Sequence, residues 1–348
     1  MEINCEYPEV AEQTRCELLD PKNYSEWVQM FQNRADGILK NLDKIKLNRS
    51  RLRMWKPFTF SINITNASSS DNAVRLYVKY LGQNVALLSI KEDEVTITTM
   101  PNKDSKLEFN NERDFNCSIT LNNVPWEGTQ ARAFRKHFKD RIPTRNDTDD
   151  NKGNQEKRIE SLLLSEFAKS TNKALRNIKP VMVESINFPM PTPISASKKG
   201  VVKYVGNGGG VDILARTGTG GQYGTFLCVI EVKDENDSKE PPAVVIKQAI
   251  KYATFVRELI RSDAGVSWWK LFGFNGAIPN KLLIHAISAM PDNVVDMTFA
   301  EKKIPIEQDE IRLDCIYFKE AEDKKNVIES VISSLPYGKQ SEVAYGNQ

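Results

Sequence analysis

Two acids and one lysine, set in apolar runs of strand length, are the residues of this chain best placed to do chemistry. Asp212 lies in Val211-Asp212-Ile213-Leu214-Ala215, and 19 positions later Glu231 appears near the end of Phe226-Leu227-Cys228-Val229-Ile230-Glu231-Val232-Lys233. Both runs are rich in β-branched and other apolar residues, and a Gly/Thr-rich turn over 217–224 separates them, so they read as adjacent buried strands. A charge in a sheet covered on both faces is costly unless something neutralises it. Glu231 and Lys233 are two apart and project from one face, with Val232 turned the other way. Two carboxylates converging on one point make an oxygen-ligand site suited to Mg²⁺, which keeps its other positions for water and phosphate oxygens. The lysine is then placed to orient or activate a water. An isolated E-x-K on a strand is more often a solvated edge pair, so its neighbours decide the reading.

The elements around these residues come in a definite order. A helix expected over 154–174 buries Ile159, Leu162, Leu163 and Phe167 and carries Glu156, Glu160 and Glu166; the Asp212 strand and the Glu231 strand follow, and then a helix bears Gln248 and Tyr252, one turn apart on one face. In this order the chain resembles the PD-(D/E)XK nuclease superfamily, whose fold is restriction-endonuclease-like. Asp212 matches its first acid, Glu231-Val232-Lys233 its E-x-K, and Gln248-Ala249-Ile250-Lys251-Tyr252 the Q-x-x-x-Y of RecB-like members. Arg158-Ile159-Glu160-Ser161-Leu162-Leu163 resembles its first helix. Val211 stands where the name-giving proline would be.

The resemblance covers roughly residues 153–320. It implies an α/β core over 153–335, with a central mixed sheet flanked by helices, and a Mg²⁺-dependent deoxyribonuclease of restriction, repair or defence type in which Mn²⁺ substitutes. Asp212 and Glu231 would hold the metal, with the Val232 carbonyl as an extra ligand. Lys233 would position the water, Glu160 would assist, with Glu156 as the second choice, and Gln248 and Tyr252 would arrange substrate or the lysine. A non-catalytic nucleic-acid-binding or assembly protein that keeps the fold, or an RNase, stays open as the alternative.

Composition sets the frame. The 348 residues are 40% hydrophobic and 27% charged, with a net charge of +2, ordinary globular usage that points to two domains. No run of eighteen apolar residues occurs and the first residues are acidic, so a cytoplasmic protein without membrane contact is expected. Cys5, Cys16, Cys117, Cys228 and Cys315 are scattered, with no C-x-x-C, which suggests reduced thiols and no structural zinc. With only His137 and His285, histidine-based chemistry has little to work with.

Residues 1–145 read as a separate α+β module. Pro8 and Pro21 make 7–22 look irregular, with a helix from about Asn23 or Ser25 to Leu47 carrying a Trp27, Phe31, Ala35, Ile38 core stripe. Alternating runs at 58–64, 74–78, 85–90, 95–97 and 117–121 suggest an antiparallel meander. A basic helix after Trp126 buries Phe134 and Phe138 and presents Arg132, Arg135, Lys136 and Lys139, with Arg141 beyond, as candidates for phosphate contact. Lys247, Lys251, Arg257 and Arg261 are a second such group. The polar stretch 146–154 is the expected linker. Whether 1–145 selects a nucleic-acid substrate, self-associates or binds another protein stays open.

Overall fold

The structure, a computed structural model, describes residues 6–52, 58–62, 73–92, 94–99, 121–140, 152–168, 175, 178–184, 186–195, 209–217, 225–234, 240–321 and 327–335. The fold is mixed α/β. Its helices are Glu6–Leu19 (α1), Pro21–Leu47 (α2), Thr129–Asp140 (α3), Lys152–Ala168 (α4), Pro242–Arg261 (α5) and Gly265–Leu271 (α6). Its strands are Phe58–Ile62 (β1), Val74–Tyr80 (β2), Gln83–Lys91 (β3), Glu94–Thr99 (β4), Val124–Pro125 (β5), Lys179–Pro180 (β6), Met182–Val183 (β7), Ile186–Asn187 (β8), Met190–Pro191 (β9), Gly210–Val211 (β10), Ile213–Thr217 (β11), Phe226–Val232 (β12), Leu283–Pro291 (β13), Lys303–Ile306 (β14), Asp309–Glu320 (β15) and Ile328–Ser333 (β16). The chain forms two compact units. One comprises Met1–Gln32, Leu162–Val181 and Pro189–Gln348, the other Asn33–Ser161 and Met182–Phe188.

The smaller unit holds the expected meander, with strand order β5-β4-β3-β2-β1-β8-β7 and antiparallel pairing from β1 through β5. Strand β2 alternates strictly between buried and half-buried positions, as its sequence alternates. Helix α3 lays Ala131, Phe134 and Phe138 into this core, where Phe58 and Phe134 stack at 5.4 Å. Arg135 is committed locally. Its guanidinium lies 4.4 Å over the Trp126 ring and donates to the Trp126 carbonyl, while Arg132 and Lys136 are exposed. The run 117–120 and the linker residues 146–151 lie outside the described residues.

The larger unit is built on a mixed seven-stranded sheet in the order β14-β15-β13-β12-β11-β6, with β16 beside β15. Strands β12, β13 and β15 are parallel and buried almost throughout, which is why their sequences are continuously apolar rather than alternating. Parallel neighbours need a crossover connection, and α5 and α6 supply it between β12 and β13. Pro242 opens α5 at a position where the missing N–H costs no helical bond. The helix then packs on both strands it joins.

Several expectations are corrected here. Residues 7–19 are helical rather than irregular, because Pro8 falls in the first turn of α1, where the ring has no preceding turn to strike. Residues 181–188 form no continuous strand, because Glu184 takes a left-handed φ of 50° and the run divides into β7 and β8, which pair antiparallel in one sheet. Arg257 and Arg261 are not phosphate-facing. Arg257 is 2% exposed and donates to Asp309 at 2.8 Å, Glu258 at 2.7 Å and Glu307 at 2.6 Å; Arg261 donates to both Asp309 oxygens, and Lys247 pairs with Glu6 at 2.7 Å. Arg15 on α1 reaches Glu258 and Glu307, so this network fixes α1 to α5 and to the β14–β15 turn. Trp268 and Trp269 are buried, Trp268 against Phe31 and Phe272. No helix among the described residues is long and apolar enough to cross a membrane.

Candidate metal and active site

The acids meet because of the β11–β12 register. Their last paired residues at this end are Ile213 and Ile230, and continuing the antiparallel ladder by one residue sets Asp212 opposite Glu231 on the same face. Asp212 stands at the bend between β10 and β11, half-buried, and its carboxylate accepts the Val232 N–H at 2.9 Å. A carboxylate oxygen of Asp212 and one of Glu231 come within 4.8 Å of each other. Lys233, immediately past β12, donates to Glu231 Oε1 at 3.0 Å. Glu231 and Lys233 are 5% and 8% exposed, so this pair is held away from bulk water, where electrostatic interactions are stronger than at the surface. Three of the expected residues are thus brought together by two adjacent strands.

The other expected residues take different places. Val232 is fully buried between them, and its described role is the amide that holds Asp212. Gln248 and Tyr252 share α5, but Gln248 donates to Glu240 Oε2 at 2.8 Å and Tyr252 is 5% exposed. Glu160 on α4 belongs to the smaller unit, and its carboxylate accepts from Lys157 at 2.7 Å. It also lies near enough to Lys79 of β2 for their charges to interact, though burial dominates there and pushes the lysine down. Glu156, one turn earlier, is half-buried.

Sequence reasoning missed Glu240 as the partner of Gln248 and Ser288, which is fully buried and pairs in register with Glu231 from β13. Neither carries a signal in the sequence, since both depend on pairing across the fold. Gly209, just before the Asp212 strand, sits where a Cβ would collide with the Tyr252 hydroxyl and lie 2.8 Å from the Ile194 carbonyl.

Among the described residues, the buried cysteines and His285 are inert or engaged elsewhere. Burial, then the Asp314 charge, pushes the Cys228 thiol well above its usual range, and burial raises Cys315 to about 12, so neither supplies a thiolate near neutrality. His285 is paired with Asp314 at 2.7 Å, on the sheet face opposite Glu231. Cys16, Cys228 and Cys315 are free.

Comparison of the chain with models of protein families, with curated proteins and with solved structures returns no match. The class defined by fold and site is therefore a mixed α/β protein with a carboxylate pair and a lysine at the end of its central strands.

Proposed function

We propose that this chain is a metal-dependent phosphodiester hydrolase acting on nucleic acid, DNA in the first place, with a restriction-endonuclease-like core in its larger unit. The observation that carries the reading is the convergence of Asp212 and Glu231 within 4.8 Å, with the Lys233 ammonium 3.0 Å from Glu231. Two hard carboxylate donors beside one cation form a ligand set that fits Mg²⁺ or Mn²⁺, which prefer oxygen and tolerate few protein ligands. When bound, such an ion supplies charge for the phosphoryl oxygens and acidifies a water. The chain's own part is to hold the two acids at fixed separation and to keep Lys233 aimed beside them. The crossover helix α5 supports the same reading by carrying Gln248 and Tyr252 in the Q-x-x-x-Y order.

The test is cleavage of single-stranded DNA, double-stranded DNA and RNA by the full chain, with Mg²⁺, Mn²⁺ or EDTA. Metal-dependent cleavage that disappears in Asp212→Asn and Glu231→Gln is the expected result. Absence of both cleavage and Mn²⁺ binding by the intact chain contradicts the assignment, and cleavage confined to RNA moves the substrate class.

A further inference from the structure

We propose that Tyr252 is a positioning residue for Asp212, acting through Gly209 rather than on substrate. The catalytic consequence rests on the metal-site reading above; the positioning itself does not. Tyr252 is 5% exposed, so its ring offers almost no surface to a base or a sugar. Its hydroxyl instead occupies the space where a side chain at Gly209 would be.

Gly209 is also held from its backbone. Its amide donates to the Ile194 carbonyl at 3.0 Å, and its carbonyl accepts the Thr192 amide at 2.9 Å. Those bonds continue the β9–β10 pairing, in which Gly210 faces Pro191 and Val211 faces Met190. The chain therefore enters Asp212 along β9, with the Tyr252 hydroxyl filling the space beside Gly209. α5 packs on β10 as well as on β12, so one helix sets the positions of the strands bearing both acids. Only Gly210 and Val211 separate Gly209 from Asp212, and a displaced entry moves the carboxylate that accepts the Val232 amide. Glycine is required at 209 because that space has no room for a Cβ, not because of its flexibility.

The experiment follows amide hydrogen exchange in the full chain and, separately, Mn²⁺ affinity by calorimetry, for wild type, Tyr252→Phe, Gly209→Ala and the double variant. The Val232 amide should exchange about tenfold faster in Tyr252→Phe while Ile230 and the melting temperature stay near wild type, because only the bond to Asp212 is loosened. Gly209→Ala should do the same more strongly, and the double variant should be no worse than Gly209→Ala alone, since both changes act through one contact. Wild-type protection of Val232 in Tyr252→Phe overturns the proposal, as do additive losses in the double variant. If Val232 responds as expected but the intact chain binds no Mn²⁺, positioning stands and the metal-site reading fails.

Discussion

The backbone amide of Val232 donates to the side chain of Asp212 at 2.9 Å, so the second acidic strand itself orients the first acid. An asparagine can still accept that bond through its carbonyl oxygen, whereas an alanine cannot. Asp212→Asn should keep the folded stability of the wild type and lose Mn²⁺ binding, while Asp212→Ala should lose both, with about 2 kcal/mol off the unfolding free energy. Urea denaturation beside calorimetry separates the two effects, and equal stability loss in both variants would count against the hydrogen bond.

Lys233 and Glu231 form a buried pair, and breaking such a pair leaves one charge poorly compensated. Lys233→Ala should therefore cost about 3 kcal/mol of stability in addition to any loss of cleavage. Adding Glu231→Gln should recover part of that cost by removing the stranded charge. A denaturation series on the two single variants and the double variant checks this. If Lys233→Ala unfolds at the wild-type denaturant concentration, the pair is not structurally coupled.

Acid should weaken the larger unit through Asp309. Burial alone pushes its carboxyl up, but hydrogen bonds from Arg261, the Leu282 amide and Arg257 outweigh burial and hold it below its ordinary value of 3.8. A carboxyl depressed in the folded state stabilises the fold fully above its unfolded value, and that contribution is lost as pH falls through the folded one. Burial raises the neighbouring Glu258 instead, so its contribution runs the opposite way. Denaturant midpoints measured from about pH 5 to 2 should fall more steeply in wild type than in Asp309→Asn; parallel curves would remove Asp309 from the account.

Charge reversal on α3 must respect what Arg135 already does. Arg132→Glu with Lys136→Glu should weaken nucleic-acid binding at low salt and leave stability unchanged, because both side chains are exposed. Arg135→Glu should destabilise the smaller unit by breaking its contact with Trp126. Filter binding across a salt series, read beside thermal melts, distinguishes them, and a binding loss without salt dependence would exclude phosphate contact.

The sequence was most legible where one residue's surroundings are its own neighbours. The alternation of β2 follows from the period-two pattern, and the apolar run ending in Glu231 marks a buried parallel strand. The facing of Asp212 and Glu231 was legible because two apolar strands so close in sequence pair almost by necessity. What escaped depends on distant partners. Nothing near Arg257 reveals that Asp309 and Glu307 neutralise it, so it read as a solvent-facing cation. Strand β14 is four residues long with every second side chain exposed, too short for a periodic signal, and β16 exists only through its pairing with β15. Pro8 misled because proline ends helices in their interiors but is tolerated in their first turn.

The anchoring of α1 has a consequence for synthesis. Tyr7, Ala11 and Leu18 are buried in the finished fold, yet the Glu307 that holds Arg15 lies 292 residues further along the chain. At roughly 5–20 residues per second, α1 leaves the ribosome well before α5 and the β14–β15 turn exist to receive it. During that interval its apolar stripe has no native partner and is open to chaperones or to other nascent chains. Closure of the larger unit around its sheet is thus a late event, one that waits until the β14–β15 turn has been made and can take up the helix that was made before the rest.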